Sequence, residues 1–492
     1  MQPLTPSTPT GLPPWLNEFL PILVLLVVIA IVVSRLPKVD LGHSPEYVRR
    51  RVMNWLPVGL TYAFLYMGRY NLNSTIGPVF DKAQFSTIYA WGTLAYGVSF
   101  VINGPLTDRL GGKRTIVLAA VGALVANVVM GLMVTGVPHV RAGHPELVPL
   151  FAVLYAVNMY FQSFGAVSIV KVNSAWFHLR ERGTFGGIFG ILISLGLYFA
   201  FDWCKLILEH APVQWVFYVP AAILGLFALL DTALVKDTPG GAGHTDFDTG
   251  DATEPDPEPA ARAGQVDQGY RDAALKAPAR PRVLDVAVKM LKNPAILTIA
   301  CIEFCSGYLR NSILQYYKPF ARELGRTTDF VMNHWGMLNC VAGILGGVLA
   351  GFISDHVFGS RRGPVSAVLY GVMVLGAVLM FATLGSPLIG WVVVVMSLAI
   401  IGVHGMLSGT ASMDFGGRKN TGIAVGLIDG FVYLGVALEA FVLGKVLPKD
   451  AAAHDPHNWW TWPVAILPAA VIGFVLALRV WNARPQRAAA SH

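Results

Sequence analysis

Apolar runs long enough to cross a bilayer recur along almost the whole chain, and they dictate what it can fold into. A helix needs about 20 such residues to span the hydrocarbon core, and only structures that satisfy their own backbone polar groups survive there. Composition agrees: of 492 residues 54% are hydrophobic and only 13% are charged, about half the charge of a soluble protein. A soluble multidomain architecture is excluded. The first run, residues 19–34, is uncharged and follows Trp15, and no Lys or Arg precedes it. A cleavable signal peptide starts with basic residues, so a retained extra helix with its N-terminus outside is expected. Twelve more runs follow at roughly 53–75, 86–107, 115–136, 148–172, 184–206, 213–235, 294–317, 331–354, 365–384, 388–411, 421–446 and 460–481. The fold class is an all-α polytopic membrane protein.

Charge placement orients it. Of the 36 Lys and Arg residues, 25 fall in the segments that alternation assigns to one side, eight fall on the other, and Arg69, Lys171 and Arg310 lie within runs. By the positive-inside rule the richer side is cytosolic, which puts the C-terminus in the cytosol of a cell (inner) membrane protein. Topology accounts for the formal charge of +7, so no nucleic-acid partner is needed. Between Asp237 and Arg282 the composition turns to Pro, Gly, Ala and Asp, too polar to bury a core. The domains expected are therefore 1–51, an extension with the extra helix; 52–235, six helices; 236–292, a flexible cytosolic linker; 293–482, six helices; and 483–492, a cytosolic tail. The four cysteines, Cys204, Cys301, Cys305 and Cys340, sit inside runs without metal-ligand spacing and read as buried apolar residues.

The halves repeat. Gly104-Pro-Leu-Thr-Asp108-Arg109-Leu-Gly111 has its counterpart in Gly351-Phe-Ile-Ser-Asp355-His356, with Arg361 and Arg362 just beyond, and Glu181-Arg182-Gly183 matches Arg418-Lys419-Asn420. Parallel six-helix repeats imply two bundles that rock around a central site, with these loops as the gates. The motifs "SDHVFGSRRGP" (354–364), "WFHLRERG" (176–183) and "GRKNTGIAVGLIDGFVYLG" (417–435) resemble the major facilitator superfamily and, within it, the organophosphate:phosphate antiporters. The resemblance covers about residues 50–482. It implies the major facilitator fold and transport of an organic phosphate.

Arg69 and Arg310 are the candidate site. Each buried charge costs about 2.5 to 3.5 kcal/mol on insertion scales. Arg69 follows Arg51, and Arg310 follows Lys292, by the same 18 residues, so both lie about 27 Å along their helices. A single arginine could snorkel to headgroups; a symmetric pair reads instead as an anion clamp, whose planar forks suit a phosphate. Lys171, near a helix end, reads as structural. Tyr62 and Tyr66 share Arg69's helical face, and Tyr96, Tyr308 and Tyr433 are further candidates. The resemblance implies that Tyr62, Tyr66, Tyr96, Tyr433 and His404 line a substrate cavity. It also exposes departures: the glycerol-3-phosphate transporter's second-helix lysine and fifth-helix histidine are replaced by Phe100 and Ile193, while Asp429 and Glu303 bring negative charge. These acids either balance the arginines between substrates or carry a proton.

No metal cluster, nucleotide loop or nucleophile elbow is present in the sequence, so neither an enzyme nor a cofactor is expected. The function implied is a monomeric secondary transporter that imports a sugar phosphate or glycerol phosphate in exchange for inorganic phosphate. The alternatives are a proton-coupled symporter of another organic anion and a membrane sensor of a phosphorylated metabolite.

Overall fold

The computed structural model describes residues 43–140, 142–178, 182–246, 288–358 and 361–482, together with Leu23, Leu25, Val27 and Ile31. Twelve long helices run through them. The first six are α1 (Pro45–Tyr70), α2 (Lys82–Leu110), α3 (Gly112–Val134), α4 (Val148–Ser174), α5 (Arg182–Tyr198) and α6 (Trp215–Leu234). The second six are α7 (Pro294–Glu323), α8 (Trp335–His356), α9 (Arg362–Thr383), α10 (Leu388–His404), α11 (Ser412–Val446) and α12 (Thr461–Arg479). Ten of them are long and apolar enough to cross a membrane. The other two are α1 and α7, the helices that bear Arg69 and Arg310 and are diluted by polar side chains.

Local chemistry sets the helix ends. Ser44 caps α1 by accepting from the Tyr47 amide at 3.2 Å, and Asp81 and Gln84 form a reciprocal capping box at α2. Between α2 and α3 the chain turns at Gly111, whose φ of 88° is one that glycine adopts without steric cost. Helix α5 widens at Phe199–Trp203 before continuing as Cys204–His210, and α10 widens at Gly405–Ala411.

Helices α2 and α11 lie along each other, as do α5 and α8. These two pairs correspond under the repeat and form the seam between the halves. Approach at the seam is close: a Cβ added at Gly426 would sit 2.5 Å from the Phe100 carbonyl oxygen. At the end away from the basic loops the halves are joined by polar contacts. Lys82 Nζ lies 2.9 Å from Glu323 Oε1, Arg322 donates to the Ile76 carbonyl at 3.0 Å, and Lys205 donates to Asn333 at 3.2 Å. Asp202 accepts from the Gly336 and Met337 amides at 2.9 and 2.8 Å, so a carboxylate of α5 caps the N-terminus of α8.

The linker expectation needs correction at its start. Residues 236–246 are docked, not free. Asp237 accepts from the Lys113 amide at 2.7 Å and caps α3, Trp176 donates to the Lys236 carbonyl at 3.1 Å, and the Lys236 amide donates to Asn54 at 2.7 Å. A capping carboxylate and two interlocked main-chain groups outweigh the polar composition that suggested disorder. Burial raises the affinity of Asp237 for a proton, and its amide contacts oppose that rise. Residues 288–292 are described, and Met290 packs with Ile296, Ile423, Ala424 and Leu427, whereas linker residues 247–287 and the C-terminal tail lie outside the described residues.

The same holds for most of the extra N-terminal helix. Its four described residues are helical. Leu25 is buried and clusters with Ile191 and Tyr198 of α5 and with Met337, Cys340 and Ile344 of α8, whereas Leu23, Val27 and Ile31 are exposed.

Candidate functional site

Arg69 occupies the last turn of α1, where the helix passes into the tight turn Asn71–Thr75. It is fully buried. Its Nε donates to Gln162 Oε1 of α4 at 3.0 Å, Nη1 to the Tyr433 hydroxyl of α11 at 2.8 Å, and Nη2 to the Tyr96 hydroxyl of α2 at 2.5 Å. The guanidinium carbon lies 4.6 Å from the Tyr66 ring centroid and 4.3 Å from that of Tyr96, within cation–π range. Behind it runs a polar lattice. Gln162 donates to Asn158 at 3.1 Å, Asn158 and Asn127 both donate to the Gly68 carbonyl at 3.1 Å, and the Tyr155 hydroxyl donates to the Arg69 carbonyl at 3.1 Å. Four helices thus hold one guanidinium in a single pose.

Arg310 comes from α7 and is also buried. Its guanidinium carbon is 5.5 Å from the Tyr433 ring centroid, and its Nη2 has no hydrogen-bond partner among the described residues. Tyr433 therefore joins the two arginines, its hydroxyl accepting from Arg69 and its ring meeting Arg310. Phe100 packs edge-on to Tyr96 at 4.6 Å and stacks on Tyr433 at 5.8 Å, so this residue supports the tyrosines where the antiporter pattern has a charge. Ile193 is a buried core residue.

The other expected site residues divide. Tyr62 meets Tyr66 edge-on at 5.2 Å and extends the cluster. Tyr308 does not join it. Two residues from Arg310, and so about 200° round the helix, it lies within electrostatic reach of Glu439 instead. Glu303 is not paired with Arg310: its Oε2 is 2.8 Å from His404 Nδ1. Asp429 accepts from Ser408. Lys171 forms an ion pair with Asp108 at 2.7 Å, a structural tie between α2 and α4. In the loops, Arg361 donates to the Phe358 carbonyl at 3.0 Å and Arg362 to the Met406 carbonyl at 3.1 Å, while Arg109 is exposed. Glu181 and the side chains of Arg182 and Asp355 lie outside the described residues.

Four residues escaped the sequence reading: Gln162, Asn158, Tyr155 and Glu439. The first two had a signal, since they lie four residues apart in an otherwise apolar run and so share a face. Glu439 had one as well, being an acid inside the run 421–446, whereas Tyr155 had none short of the tertiary structure. Chemically, the site offers two guanidiniums with five N–H donors each, one of them with an uncommitted buried nitrogen, and tyrosine hydroxyls that donate or accept as required. Such a set of donors can hold an anion of several oxygens.

Two sets of six helices around a central polar cluster are the architecture of a membrane transporter fold. The chain belongs to the Major Facilitator Superfamily, whose family model matches residues 58–438. It is a multi-pass membrane protein. Among curated proteins it is similar to the "Probable hexose phosphate transport protein" of Chlamydia trachomatis, with 22% identity over 90% of this chain and 94% of that one. It is likewise similar to the glycerol-3-phosphate transporter of Bacillus subtilis, at 24% over 90% and 95%. The membrane sensor protein UhpC of Escherichia coli is 23% identical over 92% and 96%. Among solved structures, the xylose transporter XylE of E. coli superposes with a TM-score of 0.61 over 89% of this chain and 98% of that one, at 13% identity, a likeness of fold.

Proposed function

We propose that this chain is a secondary active transporter that imports an organic phosphate, of the sugar phosphate or glycerol phosphate class, in exchange for inorganic phosphate. The observation that carries the reading is the pair of buried guanidiniums, one from each half, brought against the single tyrosine Tyr433. An anion bound to both would be held by both bundles at once. Rocking the bundles would then expose it to either side in turn, with no covalent step. The names of the hexose phosphate and glycerol-3-phosphate relatives support the substrate class. The basic loops face the cytosol of an inner membrane in this reading, with the N-terminus outside, and the transporter works as a monomer.

A second reading, a membrane sensor of a phosphorylated metabolite, is favoured by likeness to a sensor over nearly the whole chain. One experiment separates the two. Purified protein in phosphate-loaded vesicles is expected to exchange internal labelled phosphate for external glycerol 3-phosphate or hexose 6-phosphate. Tight binding without exchange would replace the transporter with the sensor, and binding of neither ester would overturn both.

A further inference from the structure

Among the described residues, buried acids lie on the helices that carry Arg310 and Tyr433, namely Glu303 on α7 and Asp429 and Glu439 on α11, while the buried Asp231 of α6 accepts from Thr61 at 2.6 Å. Glu439 accepts from Asn311. Asp429 lies within electrostatic reach of Arg310, and Glu303 stands two turns before it on the same helix, so these two acids limit the positive excess that an incoming dianion meets. Uncompensated charge is strongly disfavoured in a buried site, so an entering phosphate must recruit positive charge.

Geometry singles out where that charge enters. The Glu303 side chain is sealed from solvent, its Oε1 has no hydrogen-bond partner among the described residues, and its Oε2 lies 2.8 Å from His404 Nδ1. His404 keeps 10% of its side-chain surface exposed where Glu303 keeps none. It is the last residue of α10 before the helix widens. Glu303 precedes Arg310 by seven residues, on the same helical face.

Among the described residues the other ionisable groups near the pair are few. Asp429 of α11 lies within electrostatic reach of His404, Glu303 and Arg310, and Cys305 of α7 and Tyr370 of α9 are within reach of Glu303. The Tyr370 hydroxyl is committed to the Ile302 carbonyl at 2.6 Å. Cys340 is the ionisable side chain in the middle of α8, and α12 carries none before Arg479.

The geometry points to Glu303 and His404 as a proton site linked to the anion site. The pair takes up one proton as a phosphate binds at Arg310 and gives it up as the phosphate leaves. The proton enters from water onto the imidazole, which is buried but keeps a tenth of its surface accessible, and is shared with Glu303 Oε2. The pair's charge rises by one, and only N–H and O–H bonds form or break. This rests on the anion-site reading above and deepens it: substrate and proton move together, so ester-for-phosphate exchange carries one proton each way and a pH gradient adds no net drive to it.

Calorimetric titration of glycerol 3-phosphate into the full-length protein tests it. Runs at one pH in buffers of different ionisation enthalpy count the protons taken up, and the ester's own ionisation is common to every variant. The intact protein is expected to take up about one proton per ester bound, equivalent to a tenfold change in affinity per pH unit. Glu303→Gln and His404→Gln should each reduce the count to near zero, whereas Asp429→Asn should preserve it. A count of zero in the intact protein with binding intact would overturn the linkage and leave the anion site standing. An undiminished count in Glu303→Gln or in His404→Gln would remove the pair as its seat, as would a count lost in Asp429→Asn. No binding by the intact protein would overturn both site and linkage.

Discussion

At the scale of single residues, the two arginines differ in how far their donors are committed. Arg69 is locked by Gln162, Tyr96 and Tyr433, whereas Arg310 keeps a buried nitrogen unpartnered. Lysine at either site preserves charge but removes the fork. A charge-assisted hydrogen bond contributes about 1.5 to 3 kcal/mol, so Arg69→Lys and Arg310→Lys should each weaken binding about ten- to a hundredfold. Equilibrium titration with inorganic phosphate and with the ester checks this, and both ligands should lose affinity alike because they share the phosphoryl group. The double variant should lose less than the sum of the singles, since both residues hold one anion. If Arg310→Lys leaves both affinities within twofold while Arg69→Lys does not, the two-sided clamp is wrong.

Helices respond as units, and the seam shows where they are tied. The α5 carboxylate Asp202 satisfies two amides at the start of α8, a cap that spans the two halves. Replacing a capping side chain with alanine costs about 0.5 to 2 kcal/mol. If the halves separate at this end during transport, Asp202→Ala lowers the closed population there roughly two- to thirtyfold. Spin labels at the exposed positions Leu206 and Phe330 would report it as a longer distance component. An unchanged distribution would mean that the cap belongs to a permanent contact and not to a gate.

For the whole molecule the open question is the extra helix. Leu25 packs in a small cluster apart from the main core, at the α5–α8 seam, while its described neighbours face outward. The two bundles bury their own core without it. Deletion of residues 1–42 should therefore leave a monodisperse, folded protein that binds ester with affinity within a few-fold of the parent, read by size-exclusion chromatography and titration. Loss of binding in folded material would make the helix part of the core. A sensor would keep binding and lose its downstream signal.

The sequence alone determined the all-helical membrane architecture and the six-plus-six order of its helices, and its spacing led to the expectation that Arg69 and Arg310 lie at matched depths. Each is written in local periodicity, since a span is about 20 apolar residues in a row and depth follows from a fixed rise per residue. It also marked the tyrosines one and two turns from Arg69. What it left undecided were partnerships between residues far apart in the chain. Glu303 shares a helix face with Arg310, yet it pairs with His404, 101 residues away. Asp237 lies in a stretch with a disordered composition, yet it caps α3. Periodicity ranks the faces of one helix, but the partner a buried polar group finds depends on which other helix packs against that face. Only the tertiary structure decides this, because a buried charge takes whichever partner the packing brings within hydrogen-bond reach.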